Sequence, residues 1–371
     1  MRAFTTNCRV GVAFVIALAA ASACGDEASD QDIEVWSGEY IDYEWAAGMQ
    51  PCDSTLESLD AFVPFVAEQL GLDPATFERI TYRWETYESY QGHKDHEGTL
   101  GYSSGNHAYS FFSDLLHELV HTVVHQRRDG GLSFLREGFA SALDATSIRI
   151  LVSESWGPRP RYNRVDPRPY IDDTVKDDGG TFYGPAAAFV AYLLSRHGSE
   201  PLFELHAALT WTSSPERFAD AFREIYDLDL DHEIEVFLTD DTCPDDATTS
   251  PQPFACAAPT VPWTNPNRWE DVRPVICVDG GATGGHEIPM DSVTVEVPEA
   301  GLYRFDFFGE DRSGAILLPC GRCPWLAEDT YLVPGSREVP LAKGLHAITY
   351  RAGLTEPSYV GAALSRIQDP P

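Results

Sequence analysis

Apolar positions recur every third or fourth residue at Leu56, Leu59, Phe62, Val63, Val66 and Leu70, and Gly71 follows; the spacing predicts an amphipathic helix closed by glycine. Ile80-Thr81-Tyr82-Arg83-Trp84 alternates apolar with polar and predicts a strand. The helical period returns over 109–127, where Leu115, Leu116, Leu119, Val120, Val123 and Val124 form a stripe, and Gly130-Gly131 ends it. Further helices are expected over 133–145 and 184–197, the second stopped by Gly198. A stretch rich in Pro, Thr and Asp runs from 240 to 267. Beyond it the period switches to two, at Val293, Val295 and Val297, then at Tyr303, Phe305 and Phe307, then over 345–350 after Gly344. The pattern predicts an α+β chain: a mostly helical domain over 33–240, a linker over 241–275 and an antiparallel β-sandwich over 276–371.

Arg2 and Arg9 precede an apolar run over 10–20, and Ala21-Ser22-Ala23 precedes Cys24, which is the order of a secretory signal peptide over 1–23. The run is too short to span a bilayer, and no later stretch is long and apolar enough, so the mature chain is expected to have no transmembrane helix. Small residues before Cys24 resemble a bacterial lipobox, although Ala21 stands where Leu is usual and Ala21-x-Ala23 also satisfies ordinary signal peptidase. Cysteine parity favours lipidation. Of eight cysteines, Cys8 leaves with the signal and Cys24 takes lipid, so Cys52, Cys243, Cys256, Cys277, Cys320 and Cys323 remain, an even set for an oxidising compartment. The expectation is an exported protein anchored to the bacterial envelope through Cys24, with 24–32 as an acidic tether; secretion without lipid is the alternative.

Charge narrows the partners. The 371 residues carry 58 acids against 26 bases, a net −32, and such a field repels a phosphate backbone. No nucleic acid is expected, and membrane contact only through the lipid anchor. The segment 24–95 alone holds 17 acids and three bases.

The string that carries chemistry is His117-Glu118-Leu119-Val120-His121. On a helix, residues four apart lie about 40° apart around the axis, so both imidazoles project from one face and can share a zinc ion, with the glutamate beside them as general base. The plain alternative is two surface histidines on an amphipathic helix. A catalytic zinc needs a third protein ligand and an open position. His125 continues the series, but on a straight helix it lies about 12 Å along the axis from His117 while zinc–nitrogen bonds are about 2 Å, so it is expected on the helix surface. The metzincin spacing fails because Val124 and Arg127 hold the required positions. Glu137, near the start of the next helix in Ser133-Phe134-Leu135-Arg136-Glu137-Gly138-Phe139-Ala140, is the better candidate; Asp129 and Asp144 are its rivals.

At this point the sequence resembles the gluzincin metallopeptidases, the thermolysin-like and MA-type group, in which the glutamate of an E-G-x-A segment is the third zinc ligand. The resemblance extends over 36–237, through Tyr183-Gly184-Pro185 and the helix after it, and through Phe218, Phe222, Tyr226, Leu230 and Phe237. The separation of His121 from Glu137 is shorter than usual in the family, and the G-x-M-E-N element of related aminopeptidases is absent, since Gly48-Met49-Gln50 only begins like it. The resemblance implies a zincin-type domain with Zn²⁺ on His117, His121 and Glu137, hydrolysing peptide bonds in a polypeptide substrate by a zinc-activated water with Glu118 as general base. It also suggests Tyr183 as a donor to the oxyanion, against the alternative that Tyr183 merely packs. An inactive zincin-like surface lipoprotein that only binds is the competing reading.

Three further features are weighed without entering the chemistry. Arg159, Arg161, Arg164 and Arg168 lie in a Pro-rich loop and are expected to pair with neighbouring acids. His93, His96 and His107 are read as loop residues. Cys320 and Cys323 lack both the second C-x-x-C of a zinc ribbon and a βαβ setting, so structural disulfides are expected, with connectivity open.

Overall fold

A computed structural model describes residues 33–93, 99–127, 131–144, 163–171, 182–243, 256–277, 282–285, 288–320, 323–326, 330–353 and 358–367. The expected signal peptide, Cys24 and the tether lie outside the described residues. The chain is α+β.

The first lobe is built on a five-stranded sheet of β1 (Ile33–Ser37), β2 (Ile41–Ala46), β3 (Ile80–Trp84), β4 (Gly101–Ser104) and β5 (His107–Ser110), in the order β1-β2-β3-β5-β4. The central pairs β2–β3 and β3–β5 are parallel, while β1 and β4 add antiparallel at the two edges. Helix α1 (Asp53–Gln69) makes the crossover from β2 to β3, as a parallel pair requires. Its buried Leu59, Phe62, Val63 and Val66 meet Ile41, Tyr43, Ile80 and Tyr82 of the sheet in one core. A short helix α2 (Tyr87–Gly92) follows β3. Alternation puts every second strand residue into that core, which is why Ile80–Trp84 is legible as a strand.

Helices α3 (Leu116–Arg127), α4 (Ser133–Leu143), α5 (Arg168–Ile171), α6 (Tyr183–His197), α7 (Ser199–Ala208), α8 (Pro215–Tyr226) and α9 (Leu230–Thr239) complete this lobe. The helix expected over 109–127 begins later. Ala108 and Ser110 are buried while His107 is exposed, so 107–110 pairs as β5, and only after the loop 111–115 does α3 start. Tyr109, Phe111 and Phe112 look like the first turn of the helical stripe, but their aromatic side chains belong to strand and loop. Two buried tyrosines of the sheet fix that loop: the Tyr43 hydroxyl donates to Ser113 O at 2.7 Å, and the Tyr82 hydroxyl donates to Phe112 O at 2.7 Å and accepts from Leu115 N at 2.8 Å. A buried tyrosine hydroxyl needs such partners, and here they set where α3 begins.

The second lobe packs two antiparallel sheets over a common core. One has the order β11-β10-β13-β8-β7 and the other β12-β9-β14-β6, made from β6 (Arg268–Val275), β7 (Thr283–Gly285), β8 (Ile288–Val297), β9 (Gly301–Phe308), β10 (Gly314–Pro319), β11 (Thr330–Leu332), β12 (Gly335–Leu341), β13 (Gly344–Arg351) and β14 (Ser358–Arg366). Trp269, Val293, Val295, Tyr303, Phe305, Ile348 and Leu364 fill the core from both sheets. Arg268–Val275, inside the stretch read as linker, pairs with β14 over its whole length and so belongs to the sandwich; its alternation is hidden in the sequence by charged residues on the outward face.

The two lobes form one compact unit, Ile33–Pro371. Cys52 at the start of α1 is bonded to Cys277, Cys243 after α9 to Cys323, and Cys256 to Cys320. Around the first of these, Cys52 N and the Thr55 hydroxyl both donate to Gly284 O, at 2.9 and 2.8 Å. Gly285 of β7 lies against Trp84, where a Cβ would come within 2.8 Å of the indole. Around the second, Trp325 enters the core of the helical lobe and meets Tyr192 of α6 edge to face at 5.8 Å. Three disulfides mark an exported protein of an oxidising compartment. Among the described residues, no helix is long and apolar enough to cross a membrane.

Candidate metal centre

Helix α3 enters from the loop held by Tyr43 and Tyr82, and its first turns place His117 and His121 on one face, one turn apart, with their rings 4.8 Å apart and nearly perpendicular. Helix α4 packs against α3 and α6. Gly138 makes the approach to α6 close: a Cβ there would lie 2.6 Å from Val190 Cγ2 and 3.1 Å from Ala186 O. That seating brings Glu137 back onto the histidines. One carboxylate oxygen, Glu137 Oε2, lies 3.1 Å from His117 Nε2 and 3.3 Å from His121 Nε2. The three ligand atoms lie within 4.8 Å of one another, and the group could hold a metal ion. Both Nδ1 atoms are buried and carry no hydrogen bond among the described residues, so the Nε2 atoms are the ones presented to the centre.

Within the group, the carboxylate and the imidazoles stabilise one another's charged forms. Burial alone raises the Glu137 pKa, but the His121 charge and hydrogen bonds from both imidazoles outweigh it and hold the carboxyl well below its ordinary range. Burial alone lowers the His117 pKa, but the Glu137 hydrogen bond and the charges of Glu118, Glu137 and Asp144 outweigh it and leave the imidazole raised. The far oxygen, Glu137 Oε1, accepts from Arg136 Nε at 3.3 Å and Nη2 at 3.2 Å.

Glu118 is buried beside the two histidines, and burial raises its pKa, opposed by the imidazole charges and by a hydrogen bond from the Ser103 side chain. It lies against Gly101 of the edge strand β4, where a Cβ would come within 2.7 Å of Glu118 Oε1. The opening residue of α6, Tyr183, meets the His117 ring edge to face at 5.9 Å. The Glu137 charge, followed by burial and the Glu118 charge, raises its pKa far enough to keep the phenol protonated.

The chain matches no family model and no curated protein. Among solved structures, it is similar to PliG, a periplasmic inhibitor of g-type lysozyme from Aeromonas hydrophila. The identity is 13%, with 29% of this chain and 96% of that one covered, at a TM-score of 0.21.

His117, His121, Glu137, Glu118 and Tyr183 therefore meet at one place. Of the rival ligands, Asp144 is buried but stands outside the ligand group, and Asp129 lies outside the described residues. His125, on the last turns of α3, is outside the group as well, as is His107 on β5; His93 pairs with Glu85 at 3.2 Å, and His96 lies outside the described residues. Arg168 pairs with its neighbour Asp166, as expected, and also with Asp231, whereas Arg164 donates to Phe237 O, Asp240 O and Asp241, partners distant in sequence at the end of α9. Arg159 and Arg161 lie outside the described residues.

Three contributors escape the sequence. Gly101 and Ser103 sit in a strand of four small or tyrosyl residues with no periodic pattern. Asp114, buried before α3, has its pKa pushed up to about 7 by burial first and the Asp144 charge second. A lone Asp before a helix reads as a cap, and nothing in the string signals that it is covered.

Proposed function

We propose that this protein is a zinc-dependent peptidase of gluzincin type, exported and anchored to the cell envelope through Cys24, acting within polypeptide substrates. One observation carries the reading. Ligand atoms about 2.05 Å from a tetrahedral centre lie about 3.3 Å apart, and the two imidazole-to-carboxylate separations are 3.1 and 3.3 Å. The donor set, two neutral nitrogens and one carboxylate oxygen, is that of a catalytic zinc site, which keeps a position open.

His117, His121 and Glu137 would hold the zinc, which when bound supplies a Lewis acid for the scissile carbonyl and the attacking water. The chain's own residues do the rest. Glu118 Oε, raised in pKa by burial, takes a proton from the water and returns it to the leaving amine. The Tyr183 hydroxyl, kept protonated, donates to the developing oxyanion. Strand β4 pairs on one side with β5 and forms the sheet edge nearest α3, so an extended peptide can add to it by main-chain hydrogen bonds.

The test is metal analysis of the purified protein followed by digestion of an unfolded protein with and without chelator. One zinc per chain and chelator-sensitive cleavage are expected, and Glu118→Gln should keep the zinc and lose about 10²–10⁴ in kcat. Zinc without chelator-sensitive cleavage would instead favour a surface protein that binds and does not turn over.

A further inference from the structure

The two oxygens of Glu137 have different partners. Oε2 faces both histidines, while Oε1 is held by Arg136 through two donors, Nε at 3.3 Å and Nη2 at 3.2 Å. A guanidinium offering two N–H groups to one carboxylate oxygen fixes that oxygen in direction as well as charge. The Arg136 side chain as a whole is 56% exposed, so the contact is not imposed by burial of the arginine. The carboxylate is also buried. Left alone, a buried carboxylate can turn about its terminal bond and present both oxygens to one cation, and catalytic zinc can expand from four to five ligands.

We infer that Arg136 is a positioning residue that keeps Glu137 a one-oxygen ligand by occupying Oε1, and so keeps a coordination position open at the centre. This rests on the zinc reading above. The arrangement trades affinity for reactivity. The guanidinium sets a positive charge close to the metal position, which opposes the charge of a divalent cation. By drawing on Oε1 it also weakens the carboxylate as a donor, leaving the metal the stronger Lewis acid. Loss of Arg136 therefore has two effects of opposite sign, tighter metal binding and slower turnover, whereas a merely structural residue lowers both.

The experiment compares wild type, Arg136→Gln and Arg136→Lys by zinc competition against a chromophoric chelator of known affinity, X-ray absorption of the zinc-loaded protein, and kcat and KM on an unfolded protein substrate. Outer-shell changes at metal sites typically move affinity or activity by about 10–100-fold. For Arg136→Gln we expect zinc held at least ~10-fold more tightly, one more zinc–oxygen contact, and kcat down ~10-fold with KM little changed. Arg136→Lys, which keeps the charge but loses the fork, should fall between the two in both readouts, and it serves alone if Arg136→Gln does not fold. Affinity that falls together with kcat, or that does not change, overturns the role of Arg136 while leaving the zinc reading intact. Wild type that takes up no zinc overturns both.

Discussion

Asp114 illustrates what a single buried group imposes. Its carboxyl is pushed up to about 7 from an ordinary 3.8, so between those values the folded chain holds a proton that the unfolded chain releases. Stability is then greatest at the acid end of that window and is lost as pH rises through it, at about 1.4 kcal/mol per unit as an upper limit. Asp114→Asn removes the titration. In metal-free protein, thermal unfolding should show the variant more stable than wild type at pH 8 and no more stable at pH 4; an unchanged slope between them would contradict the burial argument. Gly101 is a second such residue. An alanine Cβ would strike Leu115 and the Glu118 side chain, both buried. Gly101→Ala is expected to cost about 1–3 kcal/mol in chemical denaturation and to reduce cleavage while zinc content stays at one per chain.

At the scale of elements, what the sequence reveals depends on which side of an element is buried. Helices α1, α4 and α6 each bury one stripe or more, and α1 and α6 also end at or near a glycine, so their C-terminal ends are legible within a residue or two. The strand β5 was hidden because its aromatic residues run straight into the stripe of α3, and β1 and β4 because edge strands carry little burial pattern. The two candidate imidazole ligands are legible for a different reason: spacing four apart on a helix is a geometric statement that needs no tertiary knowledge. Glu137 required more, since only the packing of α4 on α3 and α6 brings it to the histidines. Gly138 is the contact that sets this packing. Gly138→Ala should force α4 away from α6 and carry Glu137 with it, weakening zinc binding by about 10-fold or more in chelator competition. Equal zinc affinity in that variant would mean that α4 is seated by other contacts.

For the whole molecule, the sandwich is part of the body that supports the centre. Its strand β7 lies under Trp84, Trp84 Nε1 donates to Phe111 O, and 111–115 leads directly into the histidine helix. Of the three disulfides among the described residues, Cys52–Cys277 closes the longest loop, with a sequence separation of 225. Removing a native disulfide typically costs about 2–5 kcal/mol. Cys52→Ala with Cys277→Ala is expected to lower the unfolding free energy by that amount and to loosen zinc binding as well, because the same strand stands beneath the loop. Loss of stability with zinc affinity untouched would show the two to be uncoupled. The cysteines themselves were countable in the sequence, but their partners were not, since pairing depends on which lobe surfaces meet.

The tie between Cys52 and Cys277 also orders events in time. The helices that carry His117, His121 and Glu137 are synthesised well before β7, which underpins them, and their clamp closes only where thiols can be oxidised. A ribosome-attached or cytoplasmic copy would carry every residue of the centre and still lack its footing. The hydrolysis proposed above would then be the last property the chain acquires, after export and oxidation.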